Sequence, residues 1–322
     1  MATRNRPLAE TALLPELPGR RSERSSTAMG FAAIVLWSAN IGIARSLAES
    51  VGALTSTALM FLVGGGLGML VALARGRAGS IVRLPVPYLV VCGAIFVGYT
   101  VCLALAIGLS VNRQQTLEVA ILNYLWPSLT LLFSIPILGK RVKPAFAVGF
   151  LVALGGVVLA PLRLRVWEPT TLAQNLVGHP WPYVLATIAA VLWGLYSNLS
   201  RKWAGLATTG AVPLFSLAAG CALLAVRPLF VEPSAWDTRA VVELLFMALF
   251  PTLIAYGMWD RAMRRGRVTL VVSASYAIPV LSTLVSAAYL QVPVAWNVWT
   301  ACGLVAVGAS LCHVSMKDGE VG

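Results

Sequence analysis

The chain carries the stretch Tyr124-Leu125-Trp126-Pro127, and residues 276–279 read Tyr-Ala-Ile-Pro, a shift of 152. A second pair has nearly the same separation, because the Leu-Trp of residues 36–37 recurs at residues 192–193, a shift of 156. A third joins the Leu-Val-Ala-Leu-Gly of residues 151–155 to the Leu-Val-Ala-Val-Gly of residues 304–308, a shift of 153. Each match is short, but the common separation predicts one structural unit that occurs twice.

The composition places both units in a membrane. Hydrophobic residues make up 58% of the 322 residues and charged residues 11%, whereas soluble domains are about 25% charged. The apolar residues form long runs separated by short charged breaks. This pattern predicts an all-α integral membrane protein in a lipid bilayer.

Ten segments are apolar over about the 20 residues that a bilayer core requires. Five fall in each unit, and an odd number of spans makes the second unit an inverted copy, which is typical of secondary transporters. The predicted spans are 28–47, 52–74, 87–109, 116–138, 144–162, 181–200, 209–227, 239–259, 269–290 and 295–315.

The basic residues predict the orientation of the spans. Of the 24 Lys and Arg residues, 18 fall on one side of this ten-span topology, so the positive-inside rule places both termini in the cytoplasm. Arg45 then lies outside and its repeat partner Arg201 inside, as inversion requires. The predicted organisation is a disordered cytoplasmic tail (1–27), the first repeat (28–165), an outer linker (166–180), the inverted repeat (181–316) and a short cytoplasmic tail (317–322).

Several functional classes are not supported. The spans contain no Ser, His or carboxylate motif of a hydrolase or metalloprotease, and the five cysteines lie singly in apolar segments. We therefore predict no catalytic residues, no metal site and no cofactor. The net charge of +12 is explained by cytoplasmic loops, so we expect no nucleic-acid partner.

Aromatic and amide side chains are the candidate site. In the predicted fourth span, Pro127 cannot donate a backbone hydrogen bond to the carbonyl of Asn123, so that acceptor needs another partner. The carbonyl could face a ligand, or the proline could be only a packing kink. The candidate substrate-binding residues cluster at mid-span and are Trp193, Tyr99, Tyr124, Trp126, Asn123, Asn40, Tyr196 and Asn198. Such a cavity suits a small amphipathic or zwitterionic metabolite, such as an amino acid with a large side chain.

Paired five-helix repeats, the Leu-Trp near the start of each and the Tyr-x-x-Pro of each fourth helix resemble the drug/metabolite transporter superfamily with EamA-type repeats. The run from Glu118 to Thr130 resembles, within it, bacterial exporters of aromatic amino acids. This resemblance implies a multi-pass protein of the bacterial inner membrane that exports amino acids by alternating access. It also places the cavity aromatics on Tyr99, Tyr124, Trp126 and Trp193.

We therefore predict an exporter and not an enzyme, with aromatic amino acids and related amphipathic metabolites as small-molecule substrates, and we expect a monomer. A lipid flippase or another membrane-embedded protein is the alternative, and a passive channel is a third reading. A lateral opening to lipid would favour the flippase, and flux without saturation would favour the channel.

Overall fold

A computed structural model of the chain describes residues 20–159, 178–204, 207, 209–291, 294 and 296–317. Most of the predicted outer linker and most of both predicted tails lie outside these residues. Within them the structure is almost entirely helical. One two-stranded antiparallel pair, Arg141–Val142 with Met316–Lys317, joins the segment after residue 139 to the end of the described chain.

The helices of the first half, up to residue 159, alternate between long apolar rods and short connecting pieces. They are α1 (Arg20–Ser38), α2 (Asn40–Ser50), α3 (Ala53–Ala74), α4 (Ala78–Val82), α5 (Gly93–Gly108), α6 (Arg113–Asn123), α7 (Trp126–Leu138) and α8 (Ala145–Leu159). A π-helical turn at Tyr88–Cys92 leads directly into α5.

The second half, from residue 178, has the same alternation. Its helices are α9 (Trp181–Ala204), α10 (Val212–Val226), α11 (Thr238–Met247), α12 (Tyr256–Arg265), α13 (Val268–Ser275), α14 (Ile278–Leu290) and α15 (Trp296–Val314). A wide π-helical segment, Ala248–Ala255, joins α11 to α12 without a break, and Pro251 lies inside it.

Among the described residues, seven helical rods are long and apolar enough to cross a membrane, and three shorter apolar helices accompany them. The rods are Ser22–Ser50, Ala53–Ala74, Tyr88–Gly108, Gln115–Leu138, Trp181–Ala204, Val212–Leu229 and Thr238–Met263; the shorter helices are Ala145–Gly156, Ile278–Leu290 and Val298–Val314. Each of the ten predicted spans overlaps one of these elements. A turn divides three of the predicted spans: 28–47 into α1 and α2, 116–138 into α6 and α7, and 269–290 into α13 and α14.

A turn precedes the proline of the repeated Tyr-x-x-Pro motif in both halves. Turns at Tyr124–Leu125 and at Tyr276–Ala277 separate α6 from α7 and α13 from α14. Pro127 and Pro279 then occupy the second position of the following helix, where a missing N–H costs least. The local chemistry of the motif therefore produces the same break in both halves.

Helices of the two halves pack against each other in pairs: α3 with α10, α5 with α9, and α8 with α15. The α8–α15 contact is close enough to require glycine. A Cβ atom on Gly149 would lie 2.6 Å from the backbone nitrogen of Cys312, and one on Gly156 would lie 2.8 Å from the carbonyl oxygen of Ala301. Two neighbouring glycines of α3 lie on different faces of the helix: Gly65 packs closely against α10, and Gly66 faces open space. Small residues thus allow the tight helix contacts that membrane proteins favour.

The helical structure starts earlier than predicted. We expected a disordered tail up to residue 27, but α1 begins at Arg20. Thr27 explains part of the difference, because its hydroxyl donates to the carbonyl of Glu23 and accepts from the backbone N–H of Arg267. A side chain bonded in this way ties the first turns of α1 to the loop after α12.

Candidate substrate cavity

A cavity of about 40 Å³ lies where the broken helices meet at the centre of the bundle. Its walls come from α1, α2, α5, the α6–α7 break, α9, α12 and α14. The lining residues are Trp37, Asn40, Ile41, Tyr99, Leu103, Asn123, Tyr124, Trp126, Trp193, Tyr256 and Ile278.

Six of the eight predicted site residues line this cavity. They are Asn40, Tyr99, Asn123, Tyr124, Trp126 and Trp193. The helix breaks explain how a single cavity collects them, since Asn40 starts α2 after the turn at Ala39 and Tyr124 sits in the turn between α6 and α7. A continuous helix would direct those side chains differently.

Trp193 is the central ring of an aromatic cluster, and its side chain is 3% exposed. Its centroid lies 4.8 Å from that of Tyr99 and 5.7 Å from that of Tyr256. Tyr196 stacks on it at 5.2 Å, and the edge of Trp37 approaches it at 5.9 Å. Offset and edge-to-face pairs at these separations are individually favourable, so the rings hold one another in place.

Several aromatic residues of this cluster were not among the predicted site residues, and one of them is Phe96, at 6.4 Å from Trp193. Trp37 and Tyr256 line the cavity, and Trp259 packs against Trp37 at 5.2 Å and Trp126 at 5.6 Å. The repeat contained a signal for Trp37, since it is the partner of Trp193 in the duplicated Leu-Trp pair. Trp259 had no such signal, because its contacts arise only when α12 folds back on α1.

The polar groups of the cavity come mainly from Asn123 and the tyrosines. The side chains of Asn123 and Tyr256 approach the hydroxyl of Tyr99. The other amide atom of Asn123, the acceptor Oδ1, is buried and has no hydrogen-bond partner in the described part of the chain. A buried acceptor without a partner is costly, and a ligand that donates a hydrogen bond would satisfy it.

The remaining two predicted residues lie outside the cavity. The amide nitrogen of Asn198 donates to the carbonyl oxygens of Thr130 at 2.8 Å and Gly194 at 2.9 Å, so it fastens α9 to α7. Tyr196 lines a smaller neighbouring cavity that extends past Ser200 to Arg201 and Asp260. The two cavities share Trp193 and Tyr256, and these two rings therefore form the wall between them.

The opposite end of the bundle is closed by ion pairs. One group, which we name the Glu49 cluster, comprises Arg45, Glu49 and Arg113. Arg113 donates hydrogen bonds of 2.6 to 3.1 Å to the carboxylate of Glu49. It also donates to the carbonyl oxygen of Leu290 at 2.7 Å. The Glu49 carboxylate raises the pKa of the Arg113 guanidinium, so that group stays charged at physiological pH. The cluster thus connects the first half of the chain to the end of α14.

A second group, the Glu243 cluster, comprises Ser46, Arg239, Glu243 and Tyr289. The carboxylate of Glu243 accepts from Arg239 at 2.6 Å, from Tyr289 at 2.5 Å and from Ser46 at 3.0 Å. Its side chain is 6% exposed, and these bonds to Oε1 compensate for part of its burial, whereas Oε2 has no hydrogen-bond partner in the described part of the chain. Because Ser46 belongs to α2, this cluster also joins the two halves.

Comparison with known proteins identifies the group to which this architecture belongs. The model of the EamA-like transporter family matches the chain twice, over residues 25–161 and 180–313. The chain belongs to the EamA-like transporter family. It is therefore a membrane transporter of the drug/metabolite transporter superfamily and not an enzyme.

Relatives within this superfamily are similar over nearly their whole length. The chain is 35% identical to the aromatic amino acid exporter YddG of Ancylobacter novellus over 90% of this chain and 97% of that protein. It is 31% identical to YddG of Salmonella typhimurium over 92% and 99%, and 30% identical to YddG of Escherichia coli K12 over 92% and 100%. A crystal structure that is 32% identical covers 91% of this chain and 97% of its own, with a TM-score of 0.67. These likenesses agree with the assignment of the chain to a family of membrane transporters.

Proposed function

We propose that this protein exports aromatic amino acids and related amphipathic metabolites across the bacterial inner membrane. The central cavity carries this proposal, because its walls combine a cluster of tryptophan and tyrosine rings with the unpartnered acceptor of Asn123. Aromatic walls favour flat apolar side chains, and a carbonyl acceptor suits an ammonium group. None of the described lining residues is basic, which disfavours phosphate esters. The names of the similar exporters agree with this substrate class.

Ten membrane helices in two inverted five-helix repeats are the architecture that we propose for this activity. The two family matches, each covering one predicted unit, support the duplication. The paired packing of α3 with α10 and of α8 with α15 also supports it, because each pair joins equivalent predicted spans. In inverted-repeat transporters the substrate site lies near mid-membrane, between the repeats.

Transport by alternating access would require this arrangement to open. A volume of 40 Å³ accommodates a few water molecules, whereas sites for small organic ligands are about 300 Å³ or larger. The rings of Tyr99, Trp193 and Tyr256 must therefore move apart to admit an amino acid. We propose that the wall formed by Trp193 and Tyr256 opens toward the cytoplasmic side, where Arg201 and Asp260 lie.

The outer side would then open when the two halves of the chain separate at the Glu49 cluster and at the Glu243 cluster. Both clusters join the two halves at the end that the basic-residue count places outside. Their bonds would have to break when the halves rock apart. Because one chain supplies every residue of both clusters, we propose a monomer as the functional unit.

Uptake of radiolabelled phenylalanine into liposomes that contain the purified protein tests the proposal. We expect saturable flux, with competition by tryptophan and tyrosine stronger than by alanine. Loading the liposomes with unlabelled phenylalanine, and separately imposing a pH gradient, would distinguish exchange and proton coupling from facilitated diffusion. Non-saturating flux would contradict a carrier, and transfer of a fluorescent phospholipid without amino-acid flux would favour a flippase.

Two tryptophans of α9 provide a matched pair of variants. Trp193 is buried in the cavity wall, whereas Trp181 is 65% exposed on the same helix. We expect Trp193→Ala to reduce phenylalanine flux at least tenfold and Trp181→Ala to leave it within about twofold. Equal flux in two well-folded variants would refute the placement of the substrate in this cavity.

A further inference from the structure

A second cavity, of about 240 Å³, lies at the end of the bundle that the basic residues place in the cytoplasm. Four arginines line its rim: Arg75 and Arg77 follow α3, and Arg261 and Arg265 belong to α12. Within the described part of the chain, none of these four guanidinium groups forms an ion pair. Asp260 is the carboxylate of the lining, so the cavity carries a surplus of positive charge.

The inner half of the same cavity is apolar and lies one to two helical turns deeper. Gly68, Val71, Pro213 and Gly257 line it. Val71 is 44% exposed, and a Cβ atom on Gly257 would meet no other atom within 4 Å. The cavity is therefore amphipathic, with open apolar space below a rim of guanidinium groups.

We propose that this cavity binds the phosphate-bearing head group of an anionic phospholipid. Guanidinium groups bind phosphate oxygens through paired hydrogen bonds, and clustered basic residues near a membrane surface attract anionic lipids. The apolar half then receives the glycerol backbone and the start of an acyl chain. A water-soluble phosphate would use the arginine rim but would gain nothing from the space beside Gly257.

Bound lipid would act on both halves of the transporter. Arg75 and Arg77 extend from the first half, whereas Arg261 and Arg265 extend from the second. A phosphate between them, with its single negative charge, would reduce the repulsion among these four charges and link α3 to α12. The lipid therefore stabilises the arrangement in which these helix ends lie together. This inference concerns a site separate from the substrate cavity and does not depend on the proposed substrate.

Native mass spectrometry of the full chain in neutral detergent tests the proposal, with titration of phosphatidylglycerol, phosphatidylcholine and inorganic phosphate. We expect a phosphatidylglycerol adduct that phosphatidylcholine does not replace. The Arg75→Gln/Arg261→Gln double variant should weaken it roughly 25-fold, at roughly fivefold for each arginine near the membrane surface. Gly257→Leu should weaken it by filling the apolar half while every charge remains.

Two control variants carry the same types of substitution at positions outside the cavity. Arg83→Gln/Arg141→Gln removes two exposed arginines outside the cavity, and Gly303→Leu adds the same side chain at another open helical position. Both should bind phosphatidylglycerol as the wild type does. If the arginine control weakened phosphatidylglycerol binding as much as the cavity variant, binding would depend on general charge attraction, and the proposed site would be wrong. Displacement of the lipid by millimolar inorganic phosphate would overturn the lipid as occupant. If the double arginine variant is not monodisperse, Gly257→Leu alone decides between the outcomes.

Discussion

The indole nitrogen of Trp37 donates a hydrogen bond to the carbonyl oxygen of Pro251 at 3.1 Å, across 214 residues of the chain. Pro251 lies in the wide π-helical segment between α11 and α12, so the bond fixes this segment against α1. The ring of Trp37 also reaches 5.1 Å from that of Tyr256. One side chain thus positions a cavity wall and satisfies a backbone acceptor beside it.

Replacing Trp37 with phenylalanine should separate these two roles. The aromatic ring remains, but the carbonyl of Pro251 loses its donor, so we expect a loss of about 1–3 kcal/mol in stability. A lowered melting temperature in detergent, together with reduced phenylalanine flux, would be the result. Trp296→Phe is the control, since Trp296 is 81% exposed. Identical melting temperatures for the two variants would show that the hydrogen bond has no structural importance.

The two asparagines should respond differently to substitution with leucine. Asn123 presents an unpartnered acceptor to the cavity and, among the described residues, bonds only the side chain of Tyr99. Asn123→Leu should therefore raise the KM for phenylalanine about tenfold and lower the melting temperature less than Asn198→Leu does. Asn198 bonds two backbone carbonyls, so Asn198→Leu should lower the melting temperature. Thermal unfolding and saturation kinetics on both variants check this. A wild-type KM in Asn123→Leu would remove Asn123 from the substrate site.

Neutralising the clusters at the outer end should favour an outward-open arrangement. Glu49→Gln and Glu243→Gln each keep the shape of the side chain but remove the charge that holds Arg113 or Arg239. Spin labels on the exposed residues Val111 and Gln291 would report the separation of the halves by pulsed electron resonance. We expect longer distances in both variants and in their combination. Wild-type distances throughout would show that these pairs do not hold the outer end closed.

Two glycines of α8 provide a test of helix packing. Gly149 meets the backbone of α15, whereas Gly155 faces open space. Gly149→Leu should therefore prevent close packing and lower the melting temperature by several degrees, while Gly155→Leu should be tolerated. Measurement of monodisperse yield and thermal unfolding for both variants is sufficient. Equal tolerance would mean that α8 and α15 can separate without cost.

The sequence was informative where local chemistry decides the outcome. Pro127 and Pro279 interrupt their helices because proline lacks a donor wherever the helix lies in the fold. Asn40, Asn123 and Trp126 were among the predicted site residues, and all three line the cavity. The resemblance carried by the run around Asn123 also led to the family that the comparisons established.

Repeat symmetry was less informative about the individual residues of the cavity. Tyr124 and Tyr276 occupy equivalent motif positions, yet Tyr124 lines the central cavity and Tyr276 packs in a separate cluster with Phe146 and Cys312. Asn198 was expected near the polar end of a substrate, but it bonds the backbone of α7. A duplicated sequence forms the same helix twice, but the two copies pack against different neighbouring helices.

By itself, the sequence determined the membrane class and the duplicated pattern, because hydrophobicity and local motifs act within one segment. Only the tertiary structure decided that Trp259 and Tyr256 join the aromatic cluster and that Arg113 reaches the carbonyl of Leu290. Helical periodicity specifies which side chains share a face. It does not specify which other helix that face will meet, since that depends on how all the helices pack together.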